Sequence, residues 1–206
     1  METIMDSYQR FLTGDDSGLT AIIAAYKDGL ILYLTGIVRN IATAEELTEE
    51  TFVKLVLKRP RFDQNSAFKT WIYSIARNTA IDYLRRNKRA DISLDEAPQI
   101  ADEEDLERTY IQREEKILLH RCMKQLKPEY RQVLWLAYFE DFSYREIARI
   151  LRKTTHSVET LAYRARLALK NILIKEGFEY EGYRDLYETN KSKLTSDSRR
   201  GGIEDW

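Results

Sequence analysis

The sequence predicts an all-α protein: two small helical domains joined by an acidic linker, the second of them a helix-turn-helix domain. Eight Gly and 3 Pro in 206 residues are too few for a loop-rich or all-β chain, and 33% charged residues beside 43% hydrophobic ones suit amphipathic helices. Apolar residues recur at intervals of three and four through most of the chain. Between residues 90 and 109 the periodicity stops in an acidic stretch containing Pro98, which reads as a linker. The expected boundaries are a first domain at 1–89, the linker at 90–111, a second domain at 112–175 and a flexible tail at 176–206. At this length two small domains each have enough chain for a core.

From Leu19 to Val38, Ile22, Ile23, Tyr26, Leu30, Tyr33, Leu34 and Ile37 keep the spacing of a core helix, with Gly29 the place for any bend. Thr43 and Glu46 match a capping box, so a second helix is expected from there to about Lys58, stopped by Pro60. Leu47, Phe52, Leu55 and Val56 are its apolar residues, and Glu45, Glu46, Glu49 and Glu50 make an acidic first turn that suits the helix dipole. After a loop, RFDQNSA, Ser66 is the expected N-cap of a third helix to about Asn87. Its buried stripe is expected at Phe68, Ile72, Ile75, Thr79 and Tyr83. Lys69, Tyr73 and Arg77, followed round the wheel by Ser74, Asn78 and Arg85, are expected to face solvent. Cations that hold phosphates, together with an aromatic that stacks on unpaired bases, suit nucleic acid.

Helical spacing resumes through Ile117, Leu118, Cys122 and Leu126, then Val133, Leu134, Leu136, Ala137 and Tyr138. The next segment, FEDFSYREIARILRKTTHSVETLAYRARLALKNIL, reads as a short helix, a turn and a longer basic helix. Ser143 and Glu146 form a second capping box, and Ser157 is the expected N-cap of the longer helix. With Val158, Leu161, Ala165 and Leu169 buried, Glu159, Thr160, Tyr163, Arg164 and Arg166 are left to meet a major groove or its phosphates.

The near-neutral net charge of -1 hides strong segregation. Residues 54–89 carry 10 basic and 2 acidic side chains, and residues 143–175 carry 8 and 2, whereas residues 90–117 carry 3 and 10. Two basic blocks around an acidic one suggest two sites on one polyanion, since clustered Lys and Arg release counterions from phosphates. Alternating solvated helix faces are the plainer reading of the same pattern.

Several classes are disfavoured. No uninterrupted apolar run approaches the length of a membrane span, and the N-terminus METIMDSYQRFLTGDD is acidic, so a cytoplasmic protein without membrane insertion is expected. One cysteine, Cys122, and two isolated histidines, His120 and His156, give neither an internal disulfide nor a metal-ligand spacing. No Gly-rich phosphate loop or paired-carboxylate site is legible, so no enzyme, catalytic residue or cofactor is expected.

The arrangement resembles the extracytoplasmic-function group of bacterial RNA polymerase sigma factors. AEELTEETFVKLVL resembles the region that binds the clamp helices of the polymerase β′ subunit, and FKTWIYSIARNTAIDYLRR the adjoining region that melts and reads the minus-10 element. LKPEYRQVLWLAYFEDFSYREIARIL with SVETLAYRARLAL resembles the minus-35 helix-turn-helix. The likeness covers roughly residues 19–89 and 112–174, in family order. It implies a factor, not itself an enzyme, that gives core RNA polymerase its promoter specificity and helps open the DNA.

By the same resemblance, Glu46, Leu47, Glu49, Glu50 and Phe52 form the polymerase-binding face. Glu49 replaces the family's usual Gln, and Leu47 and Phe52 suit the core equally well. Arg61, Asp63 and Asn65 belong to the loop that captures a flipped minus-10 base, and Lys69, Tyr73, Arg77, Asn78, Arg85, Arg86 and Lys88 to the helix that grips the separated strand. Phe68 and Trp71 are expected in the core. Ser157, Glu159, Thr160, Tyr163, Arg164 and Arg166 are the minus-35 set. At Glu159 the family usually has Lys or Arg; a carboxylate there favours a cytosine amino group, or else only complements the helix N-terminus. The turn RKTTH lacks the common Gly.

The implied partners are core polymerase through its β′ clamp helices and β subunit, promoter DNA, and an anti-sigma inhibitor of the kind that silences many relatives. The acidic linker either threads towards the polymerase active site or is a solvated tether. In the tail, Tyr180, Tyr183 and Tyr187 have helical spacing, but SKLTSDSRRGG reads as disorder. The rival reading is a stand-alone helix-turn-helix regulator, which binds duplex operator without polymerase.

Overall fold

The computed structural model describes residues 3–60, 68–90 and 121–176, and their regular structure is entirely helical. The chain divides into two compact units, Met1–Gln112 and Arg113–Trp206. Nearly all of the acidic linker, the loop 61–67 with Ser66, and the tail from residue 177 lie outside the described residues.

In the first unit, α1 (Ile4–Leu12), α2 (Asp16–Val38), α3 (Ile41–Lys58) and α4 (Phe68–Ala90) pack around α2, which touches the other three. Helix α1 went unread in the sequence. It starts at a capping box in which Thr3 accepts from the Asp6 N–H and Asp6 accepts from the Thr3 N–H, and it buries Tyr8 and Phe11. Helices α1 and α2 cross closely at Gly18, where a Cβ would run into the Ser7 carbonyl oxygen and stand 2.7 Å from the Phe11 nitrogen. Close backbone approach is what a glycine permits.

By length and composition α2 could cross a membrane, which a search for uninterrupted apolar runs misses because Lys27 and Asp28 break the run. In this fold it is the central core helix, with Ile22, Leu30, Ile31, Tyr33 and Leu34 buried against its neighbours. It runs without a break through Gly29.

Helix α3 begins earlier than expected. Its N-cap is Asn40, whose side chain accepts from the Thr43 N–H at 2.7 Å. Thr43 is therefore inside the helix, and the glutamates fall in its second and third turns, beyond the reach of the N-terminal dipole. Ile41, Ala44, Leu47, Thr48, Thr51, Phe52 and Leu55 form its buried side. It ends at Lys58, one residue before the left-handed cap Arg59 and two before Pro60.

The second unit packs a helical turn at 121–124, α5 (Pro128–Tyr138), α6 (Tyr144–Leu151) and α7 (Thr155–Lys175). Cys122, Met123, Leu126, Val133, Leu136, Ile147, Leu151, Val158 and Ala162 are buried together. The buried Arg131 guanidinium donates to the carbonyls of Met123, Lys124 and Leu126, satisfying the end of that first helical turn. Ser143 and Glu146 form the expected capping box of α6.

Between α6 and α7, Arg152 takes the left-handed conformation, with φ 54°, where a glycine is usual. The N-cap of α7 is Thr154 rather than Ser157: the Thr154 hydroxyl accepts from the Ser157 N–H, and Ser157 lies in the first turn. On α7 the fully enclosed residues are Val158, Ala162, Ala165 and Leu173, while Leu161 and Leu169 are partly exposed. The small residues let α7 lie close against its neighbours, which hydrophobicity alone does not reveal.

Candidate polymerase and nucleic-acid interfaces

Three helix surfaces carry the residues singled out in the sequence. On α3, Glu46 and Glu49 are exposed and Glu50 partly so. Val53 and Leu57, 53% and 77% exposed, continue the same stripe because positions 46, 49, 50, 53 and 57 repeat at helical spacing. Leu47 and Phe52 do not belong to it. They point the other way and are buried in the core, so they cannot touch a partner without unfolding the helix packing. The apolar members of this face are Val53 and Leu57, which the sequence reading missed because an exposed apolar residue looks locally like a buried one.

Behind the acidic stripe, Lys54 pairs with Glu50 at 2.8 Å and donates to Thr79 Oγ1 on α4 at 2.7 Å. The Thr79 hydroxyl in turn donates to the Ile75 carbonyl at 2.9 Å. One cation thus ties the face of α3 to the helix beside it.

On α4 the buried residues are Phe68, Thr70, Ile72, Tyr73, Ala76, Thr79 and Ala80. Tyr73 is 1% exposed, with its ring 5.4 Å from that of Tyr33, and is a core residue rather than a stacking platform. Ile75 and Tyr83, expected in the buried stripe, are partly exposed, and Ala76 and Ala80 are enclosed in their place. The outward face holds Trp71, Ser74, Asn78, Ile81, Asp82 and Arg85 at helical spacing. Trp71, expected in the core beside Phe68, is partly exposed there, its ring 6.4 Å from the buried Phe68 ring.

Lys69 is half-buried, with Nζ 5.9 Å from the centre of the Tyr73 ring, and Arg77 and Asn78 are also partly exposed. Arg85 and Arg86 are exposed, and Arg85 pairs with Asp82 at 3.2 Å. Lys88 lies within α4, but its side chain is not among the described ones, and Arg61, Asp63 and Asn65 lie outside the described residues.

On α7 the exposed N-terminal surface carries Ser157, Tyr163 and Arg164, with Glu159 and Thr160 partly exposed between them. Glu159 lies 3.9 Å from His156. Arg166 is placed differently. Its Nη1 donates to Tyr144 Oη at 2.7 Å, joining α7 to α6. Burial works against its charge, and the phenol oxygens of Tyr144 and Tyr138 outweigh that, so its pKa is raised. Arg166 is therefore a brace of the helix pair rather than a group free to reach DNA. Arg145, Arg149 and Arg152, exposed at helical spacing on α6 and its cap, add cations that the sequence reading did not single out.

A helix pair of this kind, with a basic first helix and polar residues along the start of the second, can lay the second helix in a major groove while the first meets the backbone. Among the described residues no group of three or more His, Cys, Asp or Glu could hold a metal.

Residues 22–90, spanning most of α2 through α4, match the family Sigma-70 region 2, and residues 116–169, spanning α5, α6 and most of α7, match Sigma-70, region 4. The chain is 32% identical over 158 residues to RNA polymerase sigma factor YlaC of Bacillus subtilis, covering 73% of this chain and 88% of that one. It is 30% identical over 173 residues to the ECF RNA polymerase sigma factor SigW of the same organism, covering 78% and 91%. A solved structure of the sigma factor RpoE with the anti-sigma factor NepR from Bartonella quintana shares the fold. Its TM-score is 0.61 at 20% identity, over 75% of this chain and 95% of that one.

Proposed function

We propose, from the premise that this chain belongs to the extracytoplasmic-function group of RNA polymerase sigma factors, a division of labour among its three exposed helix surfaces. The chain binds core RNA polymerase and directs promoter-specific transcription initiation. It acts in the cytoplasm, where polymerase and promoter meet, and performs no covalent chemistry of its own. The stripe of Glu46, Glu49, Glu50, Val53 and Leu57 meets the β′ clamp helices. Its acidic groups steer a basic partner surface, and the two apolar side chains lose water on contact.

Helix α4, with the loop before it, takes the minus-10 strand. Lys69, Arg77, Arg85, Arg86 and Lys88 supply cations, Asn78 a reader of base edges, and Trp71 a ring on which an unpaired base stacks. Stacking and phosphate contacts offset the few kcal/mol of opening a step. Arg61, Asp63 and Asn65 hold the flipped base. The α7 surface reads minus-35 duplex through Glu159, Thr160, Tyr163 and Arg164, with Ser157 and the α6 arginines on phosphates. Glu159 accepts from a cytosine amino group, which a Lys or Arg there could not do. An anti-sigma protein competes for the same surfaces.

The observation that carries this reading is the exposed acidic and apolar stripe on α3, a surface suited to a protein partner, in the same unit as the basic nucleic-acid face of α4. A stand-alone regulator has no use for it. Anisotropy of a labelled promoter duplex separates the two readings: added chain alone leaves it nearly unbound at physiological salt, and core polymerase with the chain binds it tightly. Tight binding by the chain alone, unaffected by core polymerase, favours the stand-alone regulator instead.

A further inference from the structure

Along α7, Tyr163, Leu167 and Ile174 stand 57%, 50% and 50% exposed on one line, at spacings of four and seven. Most of their neighbours on this side are polar or charged, including Arg164 and Lys170. Three large apolar side chains in a row on a helix this basic are costly to leave in water. The residues next along the chain have the composition that complements them. Past Gly177 comes FEYEGYRDLYE, with Phe178, Tyr180, Tyr183, Leu186 and Tyr187 among Glu179, Glu181, Asp185 and Glu188, against one cation, Arg184.

We infer that this segment of the chain's own tail, 178–188, docks along the Tyr163, Leu167 and Ile174 stripe, aromatics on the apolar line and carboxylates towards Arg164 and Lys170. The reach is sufficient: Ile174 back to Tyr163 is roughly 16 Å of helix, which an extended strand covers in about five residues. Gly177 follows directly on the helix cap Glu176, where a chain reversal asks least of a residue without Cβ. Attachment to the end of α7 keeps the segment at high effective concentration, so few contacts suffice.

A functional consequence rests on the minus-35 reading given above. Tyr163 belongs both to the stripe and to the DNA-facing set, and Arg164 adjoins it, so a docked tail and a bound duplex exclude one another. The tail then acts as an acidic competitor for phosphate, displaced where the full promoter complex offers more contacts. A tail docked in four of five molecules lowers the apparent duplex affinity about fivefold.

The test uses the full chain with Tyr180→Ser, Tyr183→Ser and Tyr187→Ser, and reads the methyl resonances of Leu167 and Ile174. The expected result is that both move relative to the unsubstituted chain, equally at low and high protein concentration, and that a short labelled duplex at low salt binds the variant about fivefold more tightly. Unchanged methyl resonances overturn the docking. So does a difference that disappears on dilution, which assigns the stripe to a second copy, or resonances indifferent to the tail that move only with core polymerase. Moved methyls with unchanged duplex affinity uphold the docking and count instead against Tyr163 as a DNA contact.

Discussion

Lys54 on α3 donates a 2.7 Å hydrogen bond to Thr79 on α4 while pairing with Glu50 at 2.8 Å, so the two helices share one cation. Because the Lys54 side chain is 31% exposed, solvent screens the ion pair, and the hydrogen bond to Thr79 is the larger contribution. Thr79→Val keeps the shape and removes the acceptor. It is expected to cost about 1 kcal/mol of stability, with Lys54→Met costing a similar amount and the double variant little more than either. A denaturant double-mutant cycle checks this, and strict additivity would show that the contact contributes nothing.

The α3 stripe separates binding from folding. Val53→Ser with Leu57→Asp alters exposed residues only, so stability is expected to stay within about 0.5 kcal/mol, while affinity for core polymerase falls about tenfold or more. Glu46→Lys with Glu50→Lys weakens the same interaction by reversing its charge. Leu47→Ala is expected to act through the core, costing about 2–5 kcal/mol of stability. Melting curves beside polymerase titrations distinguish the two kinds of variant.

Leu47 and Leu57 illustrate what was legible in the sequence and what was not. Helical spacing marks Leu47 as an apolar position and passes over Leu57; which side is covered depends on α2 and α4, and no local pattern records that. The same holds for Tyr73, since Ala76 and Ala80 beside it carry little hydrophobic weight yet are fully enclosed. The all-α class, the family resemblance and the capping box at Ser143 and Glu146 were readable because each rests on several concordant residues. The caps at Asn40 and Thr154 were displaced by three residues because each lies just upstream of another residue, Thr43 or Ser157, that suits the same role.

Arg164 and Arg166, two residues apart on α7, are expected to fail differently. Arg164→Ala leaves folding intact, weakens binding to a minus-35 duplex and lowers the salt dependence of that binding by about one unit of slope. Tyr144→Phe removes the acceptor that holds Arg166, and is expected to cost about 1–3 kcal/mol of stability in the second unit while leaving the exposed Tyr163 and Arg164 in place. Thermal melting and salt-dependent anisotropy read the two effects separately.

Burial pushes the Tyr8 phenol up to about 12, and its hydroxyl donates to the Pro60 carbonyl at the end of α3. The folded state holds the proton more tightly than the unfolded chain, whose phenol titrates near 10. This contribution to stability is therefore complete below about pH 10 and disappears as pH rises towards 12. Tyr8→Phe is expected to lower stability at neutral pH and to flatten the alkaline decline, visible in denaturant midpoints measured across that window.

The central claim is that this chain confers promoter choice on polymerase. The most direct test is run-off transcription of a genomic-fragment library by purified core polymerase, with and without the chain, mapping RNA 5′ ends. The account predicts reproducible new starts that share two spaced upstream motifs, and that disappear with Val53→Ser and Leu57→Asp. A start-site map identical with and without the chain, in a preparation where the folded chain is present in excess, would contradict it.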